Sequence, residues 1–248
     1  MCRTIILSAA VWLLFVAAAV ADDAPDLSGF WNAGGGPGSE RMPELLSRVA
    51  PNTVFVDDAG ATELDSDEFG GLDVRPAARR AAAEWDPMME QTVATVCVPP
   101  SIIYSMQGPF PIEIHQGTEL LVIKLEYFDH VRVVFLDSRG HPGDDYPHSK
   151  QGHSIGSWEG DTLVVDTTHL ASSTLTNNGL NHSDNVHLIE RFRLTDDGSY
   201  LHVTQEFEDP EVLNNRGARY MVFSRAEGNV YPYECDPSYA VDVQDRER

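Results

Sequence analysis

Histidines in turns are the residues of this chain whose types and positions could do chemistry. The sequence contains nine histidines, and several of them stand beside residues that favour turns. His141 precedes a proline, His153 follows a glycine, and His182 lies between an asparagine and a serine. Imidazole titrates near neutral pH and is the usual acid–base group in catalysis. The pattern indicates acid–base chemistry, although an ordinary exposed side chain would explain any one of these histidines alone.

Metal-dependent hydrolysis is the first reaction that such residues could support. Its ligands would come from one short segment of the chain, namely His141, Asp144, Asp145, His148 and His153. Their spacing matches no compact zinc motif such as HExxH or HxH. We therefore expect no metal site.

A serine nucleophile is the second possibility. Residues 152–156 read GHSIG and match the G-x-S-x-G pattern, with Ser154 at its centre. The residues that follow favour a strand, whereas a nucleophile elbow leads into a helix. The chain has no P-loop and no G-x-G-x-x-G after a predicted strand, so we expect no cofactor. Acid–base catalysis without a cofactor needs only a base, an acid and a dry pocket, and it is the reaction that we favour.

Two charged residues interrupt apolar faces of predicted strands. Glu190 shares one side of predicted strand 185–194 with valine, leucine and phenylalanine, and Arg132 has a similar position on predicted strand 131–137. A charge on an apolar face is costly unless it is paired or hydrogen-bonded. The two residues, together with Glu126, could form an internal ion network, or they could line a ligand cavity.

Small residues alternate along the chain just before the turn at residues 159–161. Gly152, Ser154 and Gly156 share one side of a predicted strand, and such residues leave space beside it. Either a packed side chain or a ligand near His153 and Trp158 would fill that space.

The elements that must position these residues are mostly short strands. The predicted strands are 93–98, 112–116, 119–128, 131–137, 154–159, 162–169, 185–194, 200–208 and 218–224. Short turn sequences link many of them, and no long crossover helix separates them. The sequence therefore predicts a mainly β protein, built as an antiparallel β-barrel or a sandwich.

The domain organisation follows the composition. Residues 1–21 have a basic start, an apolar core and an A-x-A site, which predict a signal peptide; an uncleaved anchor is the alternative. Residues 22–92 are irregular apart from a G-x-W strand and a helix predicted over 75–85. Residues 93–248 hold the barrel core, in one domain with 22–92.

Export and charge restrict the partners. A cleaved signal peptide predicts a periplasmic or secreted protein with no membrane span. The net charge of −22 argues against binding to nucleic acid. Cys97 and Cys235 remain after cleavage and predict a disulfide, with catalytic free thiols as the alternative.

Several sequence blocks occur in a characteristic order. They are DLSGFW (26–31), CVPP (97–100), PFPIEI (109–114), DSRGHP (137–142), GHSIGSWEGDTLVVDT (152–167), NHSDNVHLIERF (181–192), EDP (208–210) and YECD (233–236). The chain resembles a large group of exported, mostly uncharacterised bacterial proteins that share the WEGDTLVVDT block. The G-x-W at 29–31 also resembles that of lipocalin-like (calycin) barrels, in which the tryptophan closes the base and the interior holds a hydrophobic small molecule.

The first resemblance directs attention to a set of residues inside its blocks. They are Asp137, His141, Ser154, Trp158, Asp166, His182, Ser183, Glu190 and Arg191. The lipocalin-like resemblance implies an antiparallel barrel, which the irregular N-terminal segment would plug or cover.

These observations lead to one catalytic hypothesis. The protein would be a cofactor-independent lyase or isomerase that acts on a hydrophobic or aromatic small molecule in a barrel cavity. His182 and His141 would be its acid and base, and Glu190 or Asp166 would orient an imidazole.

Substrate binding would rest on a second set of residues. Arg132 or Arg191 would stabilise developing negative charge, and Tyr127 or Trp158 would stack on the substrate. His153 and Ser154 would line the pocket. Two alternatives are a non-catalytic periplasmic binding protein for an apolar ligand and a structural envelope protein whose barrel is filled.

Overall fold

A computed structural model describes residues 24–58 and 64–240 of the chain. The signal peptide predicted over residues 1–21 lies outside the described residues. The protein is mainly β, with 36% strand and 11% helix. No helix in the described part of the chain is long and apolar enough to cross a bilayer.

Twelve strands and three short α-helices are the elements with defined bounds in the described residues. The strands are β1 (Gly29–Ala33), β2 (Thr53–Phe55), β3 (Ile112–Gln116), β4 (Leu120–Leu125), β5 (His130–Phe135), β6 (His153–Glu159), β7 (Thr162–Thr168), β8 (Ser173–Thr174), β9 (Asn181–His182), β10 (His187–Leu194), β11 (Tyr200–Glu208) and β12 (Arg216–Ala226). The helices are α1 (Pro43–Leu46), α2 (Pro76–Ala83) and α3 (Ile102–Ser105), with 3-10 turns at Pro87–Met89 and Tyr127–Asp129.

Nine of these strands close into a barrel, in the order β1-β3-β4-β5-β6-β7-β10-β11-β12 and back to β1. The predicted lipocalin-like barrel is therefore confirmed. Its neighbours are antiparallel except β5 and β6, which run parallel over a short stretch where Val134 pairs with Ser154. A parallel pair needs a crossover connection, so residues 136–152 must return across the barrel surface. That connection carries His141.

The strand predictions hold best where alternation is strongest. Strands 112–116 and 200–208 have the predicted bounds, and the others differ at their ends by a few residues. Residues 93–98 are an exception, because they form turns and not a strand. The predicted helix 75–85 is α2, which begins at Pro76 and ends at Ala83. Proline at the first helical position lacks only an N–H that the helix does not use.

Side chains pack the inside of the barrel. Trp31 is fully buried, and its indole Nε1 donates a hydrogen bond to the Leu27 carbonyl at 3.0 Å. The Arg225 guanidinium lies over the Trp31 ring system, 4.1 Å from its centre. A Cβ atom added to Gly156 would lie 2.8 Å from Leu136 and 2.9 Å from Val134. Protein side chains therefore fill the space beside the small residues of β6.

Segments outside the strands pack against the barrel. Ile102 and Ile103 of α3 are fully buried, and Leu72 lies within contact distance of Gly217 on β12. A buried ion pair joins Asp58 to Arg219, whose Nε and Nη2 donate to the carboxylate at 2.8 and 2.7 Å. Apolar packing and one buried charge pair thus hold parts of the irregular N-terminal segment against the barrel, and its predicted covering of the barrel stays a prediction.

A disulfide joins Cys97 to Cys235, as predicted. It ties the C-terminal segment to the residues that precede α3, across a sequence separation of 138. Because it restricts the unfolded chain over such a long loop, its contribution to stability is at most about 4–5 kcal/mol.

Removing this disulfide is expected to lower the free energy of unfolding by about 3 kcal/mol. Urea denaturation of the Cys97→Ser, Cys235→Ser double variant measures the loss, and reduced wild-type protein is the control. The two should unfold at the same urea concentration. Equal stability of the oxidised protein and the double variant would contradict the expectation.

Candidate functional site

Asp166 joins two imidazoles on the outer face of the barrel. Its Oδ1 accepts a hydrogen bond from Nε2 of His187 at 2.7 Å and from Nε2 of His141 at 3.2 Å. Because the Nε2 atoms of His141 and His187 contact the same oxygen, the distance between these two nitrogens is at most the sum of the two hydrogen-bond distances. The three side chains are partly exposed, with fractions of 38% for His187, 37% for Asp166 and 20% for His141. Together they form a compact acid–base group that solvent can reach.

Strand alternation explains why this group lies outside the barrel. On β7, Val165 and Thr167 point inward, so Asp166 points outward. On β10, Leu188 and Glu190 are fully buried, and His187 therefore has the outward orientation. The register pairs Ile189 with Asp166, which places His187 diagonally beside the carboxylate. The crossover connection after β5 adds His141.

A second imidazole pair extends the group towards β6. Nδ1 of His141 lies 3.0 Å from Nδ1 of His153 and 3.0 Å from Oγ1 of Thr168. The same hydroxyl lies 2.8 Å from Nδ1 of His169. The ring of Tyr146 makes edge contacts with His153 and His169, with centroids 5.7 and 5.5 Å apart. We call His141, His153, Asp166 and His187 the histidine cluster.

The partners of each ring fix its tautomer. A carboxylate oxygen only accepts, so Nε2 of both His141 and His187 must carry the proton. In neutral His141 the other nitrogen, Nδ1, is then an acceptor. Its lone pair faces His153 Nδ1 and Thr168 Oγ1, so a substrate proton would have to replace one of these contacts before Nδ1 could act as a general base.

The pKa values of His187 and His153, at the two ends of the histidine cluster, shift in opposite directions. The hydrogen bond to Asp166 raises the pKa of His187, and the nearby Glu208 carboxylate adds to this effect. Burial lowers the pKa of His153, and positive charge on His141 and His169 lowers it further. Burial alone would raise the pKa of Asp166, but the bond and charge of His187, with smaller contributions from His141, lower it overall. An acid and a base with opposed pKa shifts thus lie in one site.

Within 24–58 and 64–240, no group of three or more histidine, cysteine, aspartate or glutamate side chains is arranged to hold a metal ion. Comparison with models of known protein families gives no match, and comparison with curated proteins gives none either. The functional reading therefore depends on the geometry of the site.

Arg132, Glu190 and Ser154 lie inside the barrel, away from the histidine cluster. Arg132 Nη2 lies 2.5 Å from Glu190 Oε2, and both side chains are fully buried. Arg132 also donates to Ser154 Oγ at 3.1 Å and to Thr167 Oγ1 at 2.8 Å. Gln205 Nε2 contacts Glu190 Oε1 at 3.3 Å. These residues form the internal ion network, and with no exposed surface we do not assign them to substrate contact or catalysis.

Arg191 and Trp158 lie outside the histidine cluster as well. Arg191 Nη1 is 3.4 Å from Glu206 Oε2 on the outer face of the neighbouring strand. Trp158 is half-buried and packs against the core. Among the described residues, neither Arg132 nor Arg191 has a hydrogen bond or an ion pair with a residue of the histidine cluster.

His182 occupies a buried position of its own. Its Nδ1 lies 2.8 Å from the Ser183 carbonyl and must donate, so Nε2 accepts from Ser101 Oγ at 2.7 Å. The ring is 1% exposed. Its bonds join β9 to the start of α3, which indicates a structural role. His182 and His141 therefore do not share a partner, in contrast to their predicted pairing as acid and base.

His182 is expected to make stability depend on pH. Burial lowers its pKa to about 4 in the folded protein, against 6.5 for the ordinary side chain. Between pH 4 and pH 6.5 the unfolded chain therefore binds more protons than the folded protein. The free energy of unfolding falls by about 3 kcal/mol as pH falls from 6.5 to 4. Above pH 6.5 this contribution is fully present.

Urea denaturation of wild-type protein and His182→Gln at several pH values measures this effect. The variant should be less stable near neutral pH and lose less stability on acidification. Parallel pH profiles for the two proteins would contradict the assignment. His115→Gln is the control, because the His115 side chain is 53% exposed.

Several residues in and around the histidine cluster were not predicted as site residues from the sequence. They are Arg139, Tyr146, Thr168, His169, His187 and Glu208. Alternation on 162–169 and 185–194 could have placed Asp166 and His187 on one face, once the two strands were taken as neighbours. The contribution of Arg139 and Tyr146 depends on the crossover connection, whose path has no periodic signal.

A separate cavity of about 500 Å³ is lined mainly by residues outside the barrel strands. Tyr127 lines it, together with Trp85, Tyr104 and Phe128. His182 does not line this cavity, although the neighbouring strand residue Ser173 does. Tyr127, one of the predicted substrate-binding residues, thus lines an open space. None of the residues of the histidine cluster lines that space.

Proposed function

We propose that the protein is an exported, cofactor-independent lyase or isomerase and that the histidine cluster is its catalytic site. The observation that carries the proposal is the shared contact of Asp166 Oδ1 with His141 and His187. The His141–His153 pair supplies the base, and His187, whose pKa is raised by Asp166, supplies the acid. An oxidising compartment would allow the Cys97–Cys235 disulfide to persist, which supports export.

The arrangement supports proton removal from one carbon of a substrate coupled to proton donation at a second position. The base removes a proton from carbon, and the C–H electron pair forms a double bond to the next carbon. In an elimination the bond from that next carbon to a leaving group breaks, and His187 protonates the leaving group; in an isomerisation an existing double bond at that next carbon shifts, and His187 protonates the far carbon of the bond. No redox step and no co-reactant are needed.

Apolar surface beside the histidine cluster favours a hydrophobic or aromatic substrate. Val131 and Val133 on the outer face of β5 are 54% and 37% exposed, and Tyr146 is 45% exposed. The Phe135 ring stacks on His153, with centroids 5.2 Å apart. Apolar side chains exposed together beside polar groups are typical of a ligand contact. The substrate would therefore lie on the outer face and not inside the barrel.

Arg139 is the cation that we assign to developing negative charge. Its guanidinium lies 3.8 Å from the Phe135 ring centre and hydrogen-bonds to Asp137. Positive charge on Arg139 also contributes to the lowered pKa of His153. This places the charge near the base, where an enolate or a similar anion would form.

The experiment that tests the function is a substrate search. Wild-type protein and His141→Gln are incubated with an extract of the natural growth medium, and mass spectrometry follows which compounds change. At least one compound should be converted without change of oxidation state by wild-type protein and by the control His115→Gln, but not by His141→Gln. Equal conversion by all three proteins would contradict the proposal.

A second candidate function is non-catalytic binding of an apolar ligand. The observation that favours it is the aromatic lining of the 500 Å³ cavity. It predicts a ligand that co-purifies, is recovered unchanged and does not depend on His141. Native mass spectrometry of wild-type protein and His141→Gln separates this function from the catalytic one.

A further inference from the structure

The 500 Å³ cavity combines an aromatic wall with a lysine. Tyr127 and Phe128 form part of the wall, and Val98, which is 53% exposed, lies at its edge. Lys150 and Glu90 are its two charged lining residues. The cavity shares no residue with the histidine cluster. A site here would therefore act independently of the proposed catalysis.

The aromatic wall is held in place before any ligand binds. Tyr127 stacks on Phe110 at 4.8 Å between centroids, and its other neighbour Phe128 contacts Tyr233 at 4.7 Å. Phe128 and Asp129 have φ values of 55° and 53°. Residues other than glycine rarely adopt this left-handed backbone conformation. It costs conformational energy, which contacts with the surrounding structure must offset. A rigid wall binds flat rings with little loss of conformational entropy.

Lys150 brings an unpaired positive charge to this wall. It is half-buried, and burial lowers its pKa. Its Nζ donates a hydrogen bond to the Ser172 carbonyl at 2.9 Å, which is a neutral acceptor. Among the residues that the structure describes, Lys150 takes part in no ion pair. An ammonium in such a place gains most from an anionic partner.

The other charged residue of the lining does not neutralise Lys150. Glu90 is exposed, and its Oε1 accepts a hydrogen bond from the indole Nε1 of Trp85 at 2.8 Å. Its carboxylate is therefore satisfied at the solvent side of the cavity. Glu90 is the one acidic lining residue that would repel an anion entering the cavity, and solvent screens its charge.

We propose that this cavity binds a small aromatic molecule that carries a carboxylate. The ring packs against Tyr127 and Phe128, and the carboxylate binds the Nζ of Lys150. The inference rests on the second candidate function and gives it a site and a ligand class. It requires nothing of the histidine cluster.

Calorimetric titration with 2-naphthoate and with the neutral 2-naphthamide tests the proposal. One charge-assisted hydrogen bond corresponds to roughly tenfold in affinity. Wild-type protein should bind 2-naphthoate about tenfold more tightly than the amide. Lys150→Met should lose this preference, and Lys150→Arg should keep much of it. Lys124→Met is the matched control, since Lys124 lies on the outer face of β4 beside Glu113.

Chemical modification gives a readout that does not depend on any variant. The chain has two lysines, Lys124 and Lys150, so an amine-acylating reagent and peptide mass spectrometry report on each separately. 2-Naphthoate should slow acylation of Lys150 and leave Lys124 unchanged. Equal affinity for acid and amide, or equal protection of both lysines, would overturn the carboxylate assignment. Absence of binding by either compound would overturn the aromatic site as well, and neither result bears on the catalytic cluster.

Discussion

Asp166→Asn is expected to lower the rate of turnover by about 100-fold or more near neutral pH. The carboxylate accepts hydrogen bonds from His141 and His187, and it keeps the pKa of His187 raised. An amide carries no charge, so the pKa of His187 would fall and a smaller fraction of His187 would carry the proton that the acid donates. The amide could also turn its NH2 group towards one ring and reverse that ring's tautomer.

The turnover of the substrate identified for wild-type protein is the quantity to measure. Asp161→Asn is a matched control, because Asp161 lies 2.8 Å from Arg193 and is 55% exposed, outside the histidine cluster. It should leave turnover within about twofold of wild type. Unchanged turnover in Asp166→Asn would remove the catalytic role of the cluster.

Glu190→Gln is expected to lower the free energy of unfolding by about 3–5 kcal/mol. The change preserves the shape of the side chain but leaves the buried Arg132 without its counter-charge. The remaining described partners of Arg132 are the neutral hydroxyls of Ser154 and Thr167. Removing one member of a fully buried pair is costly, because the other charge remains out of water.

Urea denaturation measures this loss, and a second variant separates charge from packing. The double variant Arg132→Met, Glu190→Leu removes both charges and should be more stable than Glu190→Gln. Asp161→Asn breaks an exposed pair and should change stability by less than about 1 kcal/mol. A similarly small change in Glu190→Gln would mean that the buried pair contributes no more than a surface pair.

The barrel and its internal ion network could be predicted because both follow from periodicity. Apolar residues at every second position of β4, β10 and β11 define an inner face, and Glu190 falls on it. A carboxylate on an inner face requires a cationic or hydrogen-bonding partner. Arg132 was the cation that also falls on the apolar face of a predicted strand. The sequence left open whether these charges surround a ligand. The side chains that fill the space beside Gly156 decide in favour of packing.

The histidine cluster could be predicted only in part. His141 and Asp166 were each recognised, but their contact depends on the parallel pairing of β5 with β6, which sends the crossover connection over the outer face. Turn-rich segments have no period from which such a path can be read. His182 was placed beside His141 because its neighbours favour turns, whereas its two hydrogen bonds hold it in a buried junction.

The aromatic cavity could not be foreseen for a related reason. Its lining joins Trp85, Tyr127 and Lys150, which are far apart in the sequence and belong to irregular segments. Residues 93–98, which alternate like a strand, form turns beside the disulfide and supply one side of the cavity. Tertiary contacts overrode the local preference for a strand there.

The central claim is that Asp166 holds His187 as an acid beside a histidine base, and NMR titration of the histidine rings tests it most directly. The ring signals are followed from about pH 4 to about pH 9, around the ordinary midpoint of about 6.5. His187 should titrate above that midpoint and His153 below it. In Asp166→Asn the midpoint of His187 should fall, and in Asp161→Asn it should not. A midpoint of His187 at or below the ordinary value in wild-type protein, or one unmoved by Asp166→Asn, would contradict the account.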